Sequence, residues 1–298
     1  MNTATTRNDH NRISPTAKIT AYWRSFSSIP YSKEIAEAVA AEETARKLIG
    51  DSIVTRGTIS PPMFEARYKT INAGLELTGI ENVMELACGL SPRGLEIVSK
   101  GGTYIGTDLP EMSAESSRII MEIAVRENIP VNNLHVQPAN VLNPEEMENA
   151  AAIFGGMKFA ICNEGLLPYL SKDEKARMAG NVRSLLLRVD GSWITMDPVF
   201  KVLREAIATM FGEKGREAIR PALNKIIDQT GRDILANDFE DKSQAAKFYQ
   251  DLGFEIEEFP MYDGSYELST ISMIPESGRR KFLDIISNAK TWIMTPKP

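Results

Sequence analysis

Several residue types that would announce a function class are scarce in this chain of 298 residues. Its two cysteines, Cys88 and Cys162, offer no disulfide framework, so a reducing cytoplasm is the expected setting. Its two histidines, His10 and His135, build no Cys/His cluster, and no metal site is expected. No apolar run approaches the ~18 residues that span a bilayer. The first ten residues lack the apolar centre of a signal peptide and read as a disordered tail. Lysine and arginine number 34 against 40 acids, for a net charge of −6, and no basic run occurs. A nucleic-acid partner would need a clustered basic face, so none is expected, and neither is a membrane. Internal repeats and low-complexity stretches are absent too.

What is present points to a soluble enzyme. Apolar residues make up 43% of the chain, and its length can hold one large α/β domain with additions or two small domains. Strands are expected near 82–87, 103–107, 133–137, 157–162 and 191–196, alternating with helices, which predicts a doubly wound, mostly parallel sheet. Asn143-Pro144-Glu145-Glu146 offers an N-cap with proline behind it, and Ser171 to Glu174 and Asp241 to Gln244 read as capping boxes. Residues 1–78 form a tail and helical cap, with Ser32 capping a helix over 33–49, Pro61-Pro62 as a break, and a helix over 63–78. The remainder, 79–298, is the main domain. Within it, 198–240 reads as a helical insertion, one helix on Val199, Leu203, Ile207 and Met210 and another on Ile219, Leu223, Ile226 and Ile227. Two final strands, 254–259 and 266–274, are expected as a terminal antiparallel hairpin.

Two stretches carry chemistry. The first is Val83-Met-Glu-Leu-Ala-Cys-Gly-Leu-Ser-Pro-Arg-Gly94, in which an apolar strand enters a small-residue turn and then a helix, with Ser91 as its N-cap and Pro92 at its first position. A second strand, Tyr104 to Asp108, ends on an acid 19 residues after Gly89. Such a unit brings backbone N–H groups close to a nucleotide-like ligand and holds a ribose diol with a carboxylate. A dinucleotide fingerprint needs three glycines here, and only Gly89 sits in the tight turn, which counts against NAD. The turn is similar to the Glu/Asp-x-Gly-x-Gly form of S-adenosylmethionine-binding methyltransferases, with Ala87 in the place of the first glycine. The second stretch is Asn163-Glu-Gly-Leu-Leu-Pro-Tyr-Leu-Ser171, after the apolar run 159–162.

That second stretch resembles the Glu-Gly-x-Leu-x-Tyr-Leu segment of the leucine carboxyl methyltransferase family, which includes polyketide O-methyltransferases. Gly89 to Gly94 resembles its Gly-Leu-Asp-Thr-Arg turn, Asp108-Leu109-Pro110 its Asp-Leu-Pro, Ala139-Asn140-Val141 its Ala-Asp-Leu, and Phe64 to Arg67 its Phe-Ala-Arg. The resemblance covers roughly residues 60–200; Ser91-Pro92 and Asn140 depart from it. It implies a class I, Rossmann-like fold and S-adenosyl-L-methionine as cofactor. Asp108, with Leu109 beside it, would hold the ribose hydroxyls, and Glu85, Ala87 and Gly89 would shape the turn under the methionine and ribose. Asn140 and the Val141 backbone would face adenine. Glu164 would lie near the amino-acid end of the cofactor, and Arg67 would pair its carboxylate. Tyr169 is the candidate substrate contact.

A carboxylate acceptor is ionised at neutral pH and needs no base, whereas a hydroxyl wants one. His10 falls in the tail and His135 within a strand, so O-methylation of a carboxylate is favoured over a hydroxyl. The acceptor is expected to be a small molecule or a protein C-terminus. An NAD-linked dehydrogenase and a non-catalytic cofactor-binding scaffold remain as alternatives.

Overall fold

The computed structural model describes residues 14–50, 58–197 and 231–298, with isolated positions between 201 and 228. The two helices expected in the insertion fall almost wholly outside these residues.

Strand β1 (Val83–Leu86) is buried along its whole length, as the central strand of a sheet covered on both faces must be. It pairs in parallel with β2 (Tyr104–Asp108) and β4 (Ala160–Asn163). Parallel pairing continues outward to β3 (Leu134–Pro138) on one side and β5 (Trp193–Thr195) on the other. Beyond β5 the sheet turns antiparallel, through β7 (Lys290–Pro296) to the edge strand β6 (Phe254–Pro260). The seven strands thus run in the order β3-β2-β1-β4-β5-β7-β6. The order reverses between β1 and β4, and in open α/β sheets that switch point is where ligands bind.

Alternation along each strand divides the core in two. Met84, Leu86, Ile105, Ile161 and Trp193 face one layer, built on α7 (Pro144–Ala151), α8 (Lys172–Leu187) and α9 (Lys242–Asp251). Val83, Tyr104, Ala160 and Ile194 face the other, built on α4 (Ser60–Thr78), α5 (Arg93–Ser99) and α6 (Pro110–Arg126). The N-terminal cap consists of α1 (Ser14–Arg24), α2 (Ser32–Ala38) and α3 (Ala41–Ile49). Ile19 and Trp23 of α1 pack on Ala45 and Ile49 of α3.

Helix ends largely follow local chemistry. Asn143 accepts from the Glu145 and Glu146 N–H groups, and Ser171 with Glu174 makes a reciprocal capping box. At α9 the box is displaced: Asp241 accepts from Gln244 N, while the Gln244 side chain accepts from Glu240 N. The single helix expected over 33–49 is two, broken where Ala40 takes a left-handed φ of 49°. Pro61 and Pro62 do not break the chain but lie in the first turn of α4, where helix N–H groups have no partner to lose.

The antiparallel pair exists, but its second strand is 290–296 and not 266–274. Residues 266–274 form loop and a short 3-10 turn instead, followed by α10 (Glu276–Asn288). The backbone N–H groups of Ser269 and Thr270, which a strand would give to its neighbour, are taken by the Glu65 carboxylate at 2.9 Å each.

Gly94 sets how closely α5 approaches the sheet. A Cβ there would meet the Tyr104 ring at 2.5 Å. Gly94→Ala should therefore destabilise by about 1–3 kcal/mol despite alanine's helix preference, because the buried ring must move. Urea unfolding checks this, and a gain in stability would show that the ring yields.

Candidate functional site

The strand–turn–helix after β1 lies at the switch point. Ala87 and Gly89 both adopt left-handed backbone, with φ of 50° and 51°. The turn conformation therefore survives without the first glycine, at a strain cost of about 1–2 kcal/mol for the alanine. Gly89 N–H donates to Asp108 Oδ2 at 2.8 Å, and Leu109 N–H donates to Asp108 Oδ1 at 2.7 Å. One carboxylate thus joins the turn to the start of α6. Burial pushes the Asp108 carboxyl up to about 6, although both amide hydrogen bonds pull it down. Above the turn lies the cap, with Ala17 of α1 at 3.4 Å from where a Cβ on Gly89 would stand. The expected N-cap shifts by one residue: Pro92 takes that place, and Ser91 Oγ accepts from Arg93 N–H at 3.3 Å.

Beneath the turn is a buried cluster of charges. Arg93 is fully enclosed. Its Nε donates to Glu85 Oε1 at 3.2 Å, its Nη1 to Tyr68 O and to Asn72 Oδ1, and its Nη2 to Glu164 Oε2 at 3.4 Å. Burial opposes this charge, but Glu85 and the other groups around the guanidinium outweigh it and raise its pKa. Glu85 also accepts from Tyr104 Oη at 2.7 Å. Its carboxylate, expected under the cofactor, is thereby engaged in fastening α5 and β2 to β1. Arg67 Nε lies 3.5 Å from Glu164 Oε1, an ion pair longer than an ordinary hydrogen bond. Both atoms are buried without a hydrogen-bond partner.

The loop after β4 is held by Asp197, which lies just past β5 and is 3% exposed. Its carboxylate accepts from the N–H groups of Gly165, Leu166 and Leu167 at 2.7, 2.7 and 3.1 Å, and from Asn163 Nδ2 at 2.6 Å. Asn163 Oδ1 in turn accepts from Trp193 Nε1 at 2.7 Å. Burial raises the Asp197 carboxyl above its ordinary range. This network places Glu164 beside Arg67 and Arg93.

The structure therefore brings Arg67, Glu85, Ala87, Gly89, Asp108 and Glu164 to the ends of β1, β2 and β4. Asn140 and Val141 lie in the turn after β3, just past Ala139, whose N–H donates to Asp108 O at 2.9 Å. Asn140 Oδ1 accepts from Leu142 N–H at 3.0 Å, and Val141 O accepts from Asn181 Nδ2 at 2.9 Å. Tyr169 is half-buried at the end of the turn 167–169. His135 lies inside β3, in register with Ile105. Cys88 and Cys162 are free and buried, and burial drives both thiols well above their usual range, which leaves them inert. The sequence does not single out Arg93 or Asp197: Arg93 stands only inside the turn motif, and Asp197 only precedes the insertion at 198–240.

No protein-family model matches the chain, and no curated protein matches it either. Solved structures do. A DUF574 family protein from Streptomyces avermitilis aligns over 95% of this chain and 97% of its own, with a TM-score of 0.56 and 12% identity. A candidate methyltransferase from Thermobifida fusca aligns over 86% and 88%, with a TM-score of 0.53 and 14% identity. Together with the strand order, these likenesses place the chain in the Rossmann-like fold of class I S-adenosylmethionine-dependent methyltransferases. Among the described residues no helix is long and apolar enough to cross a membrane.

Asp197→Ala would leave four donors without their acceptor. The expected loss is on the order of 3–5 kcal/mol in urea unfolding, from the desolvation of buried groups left unsatisfied. A loss under about 1 kcal/mol would mean that water replaces the carboxylate.

Proposed function

We propose that this chain is an S-adenosylmethionine-dependent O-methyltransferase, of the leucine carboxyl methyltransferase kind, acting on a carboxylate of a small molecule or a protein C-terminus. The observation that carries the reading is the left-handed turn Ala87–Gly89 facing the Asp108 carboxylate at the switch point. The residues fit the cofactor. Each Asp108 oxygen uses one acceptor site on a backbone amide and keeps another for a ribose hydroxyl. Arg67 Nε and Glu164 Oε1, ion-paired at 3.5 Å but without a hydrogen bond, are a donor and an acceptor of the kinds that a carboxylate and an ammonium at the amino-acid end require. Asn140 and Val141 would border the adenine, and Tyr169 the acceptor.

When bound, S-adenosylmethionine supplies a methyl group already activated by its sulfonium. The protein then has to align an oxygen nucleophile and exclude water, and alignment alone is worth on the order of 7 kcal/mol. In this reading neither carboxylate nearest the turn serves as a base, the open sites of Asp108 being given to the ribose. Glu85 is engaged with Arg93 and Tyr104, and Asp108 with two amides. That supports an acceptor which is already an anion. The antiparallel β7, set between β5 and β6, departs from the all-parallel 3-2-1-4-5-6 order of dinucleotide-binding dehydrogenases, so that alternative is not favoured.

Calorimetric titration with S-adenosylhomocysteine, S-adenosylmethionine and NAD tests the reading. Selective micromolar binding of the first two is expected, and binding of NAD alone would overturn it. A second expectation concerns Asp108. A raised carboxyl pKa favours the empty fold at low pH, a contribution fully present below the usual value near 4 and lost as pH rises through about 6. Ligand hydroxyls prefer the ionised form, so affinity for S-adenosylhomocysteine should rise with pH through about 6. Asp108→Asn should weaken binding at least tenfold and flatten that profile. An unchanged profile would remove Asp108 from the site.

A further inference from the structure

Arg24, the last residue of α1, is buried in a way that the fold alone does not account for. It is 5% exposed, while Phe26, two residues on, is 45% exposed. Arg24 Nε and Nη1 are buried and have no hydrogen-bond partner. Among the described residues no carboxylate forms an ion pair with it. Its guanidinium carbon lies over the ring of Tyr68, 5.2 Å from the centroid. The same ring carries Arg93 at 4.3 Å, so Tyr68 lies between two guanidinium groups. The Tyr68 hydroxyl is committed elsewhere, donating to Glu96. Arg93 has its carboxylates; among the described residues Arg24 has none.

The position is well fixed. Ala17 of the same helix rests over Gly89, and Lys18 pairs with Glu115 of α6 at 2.9 Å. Ile19 and Trp23 anchor the helix in an apolar cluster. The main chain at Arg24 is also held, since its carbonyl accepts from Ser27 Oγ. A fixed helix therefore holds a charge without a hydrogen-bonded acceptor against the ring that Arg93 also covers, where an uncharged side chain of the same length would avoid the desolvation cost. Guanidinium donors form a fork that matches a carboxylate.

We propose that Arg24 is a ligand-binding residue, whose guanidinium takes a carboxylate that arrives with the bound ligand. The inference rests on the methyltransferase reading above and extends it, because it makes the N-terminal cap part of the binding site. The carboxylate comes either from the amino-acid end of the cofactor, shared with Arg67, or from the methyl acceptor. A carboxylate has lone-pair sites for two arginines.

The test uses the full chain with Arg24→Met and Arg24→Lys. Thermal unfolding of the empty protein is measured first, then calorimetric titration with S-adenosylhomocysteine and with decarboxylated S-adenosylmethionine. Benzoate, as a plain carboxylate probe, is titrated with and without S-adenosylhomocysteine. Arg24→Met should raise the midpoint of the empty protein, because it removes an unpaired buried charge. If the carboxylate is the cofactor's, Arg24→Met weakens S-adenosylhomocysteine at least tenfold and changes the decarboxylated analogue less than twofold, and Arg24→Lys restores part of the loss. If it is the acceptor's, both cofactor affinities stay constant, while benzoate binds the wild-type chain and not Arg24→Met. A lowered midpoint with equal weakening of all ligands would make Arg24 structural and overturn the proposal, as would affinities that do not change at all. Absence of S-adenosylhomocysteine binding by the wild-type chain would instead overturn the methyltransferase reading.

Discussion

Everything at the switch point hangs on the buried guanidinium of Arg93. It joins Glu85 on β1, Tyr68 and Asn72 on α4, and Glu164 after β4. A charge with no exposure to water survives only if its donors are satisfied, and the planar fork reaches several acceptors at once as an ammonium could not. The geometry of the turn follows from this. Glu85 faces Arg93 and Tyr104 together, α5 is drawn against β2, and Gly94 leaves room for the Tyr104 ring. The sheet edge that would bind a ligand is thus organised from below, by side chains that need not touch the ligand.

Asp197 does comparable work for the loop after β4, with four hydrogen bonds from neutral donors. Both centres are well satisfied. Among the buried polar atoms without a hydrogen bond are Arg67 Nε and Glu164 Oε1, ion-paired at 3.5 Å, and two nitrogens of Arg24. Native folds satisfy nearly all buried polar groups, so each such exception calls for an explanation.

The strand–helix alternation, the caps at Asn143 and Ser171, and the turn after β1 were legible in the sequence, because each is fixed by residues within a few positions of one another. The misreading of 266–274 as a strand has the opposite cause. Tyr266, Leu268, Thr270 and Ile271 have strand character, but Glu65, some 200 residues earlier, takes the local amides, and the segment packs on Ile59 and Phe282 in a small core of its own. The true partner of β6, 290–296, carries the same β-branched and aromatic signal in Thr291, Trp292 and Ile293. Local propensity could not choose between the two. Arg93, Asp197 and Arg24 were missed for a related reason: what distinguishes them is burial and distant pairing, which no short window of sequence contains.

Ala87 shows why counting glycines gives an incomplete view of the site. What a ligand meets at such a turn is a backbone shape, and a left-handed residue there is needed whatever its side chain. Ala87 adopts the conformation at a cost of about 1–2 kcal/mol, which glycine would avoid. The strain persists because both flanks of the turn are pinned, by Cys88 N–H donating to Thr107 O at 2.9 Å and by Gly89 N–H donating to Asp108. The missing first glycine therefore does not separate this chain from the methyltransferase turn, since the neighbouring strand enforces the geometry that glycine would merely permit. The antiparallel β7 points the same way, as a feature of topology that no substitution within the turn could alter.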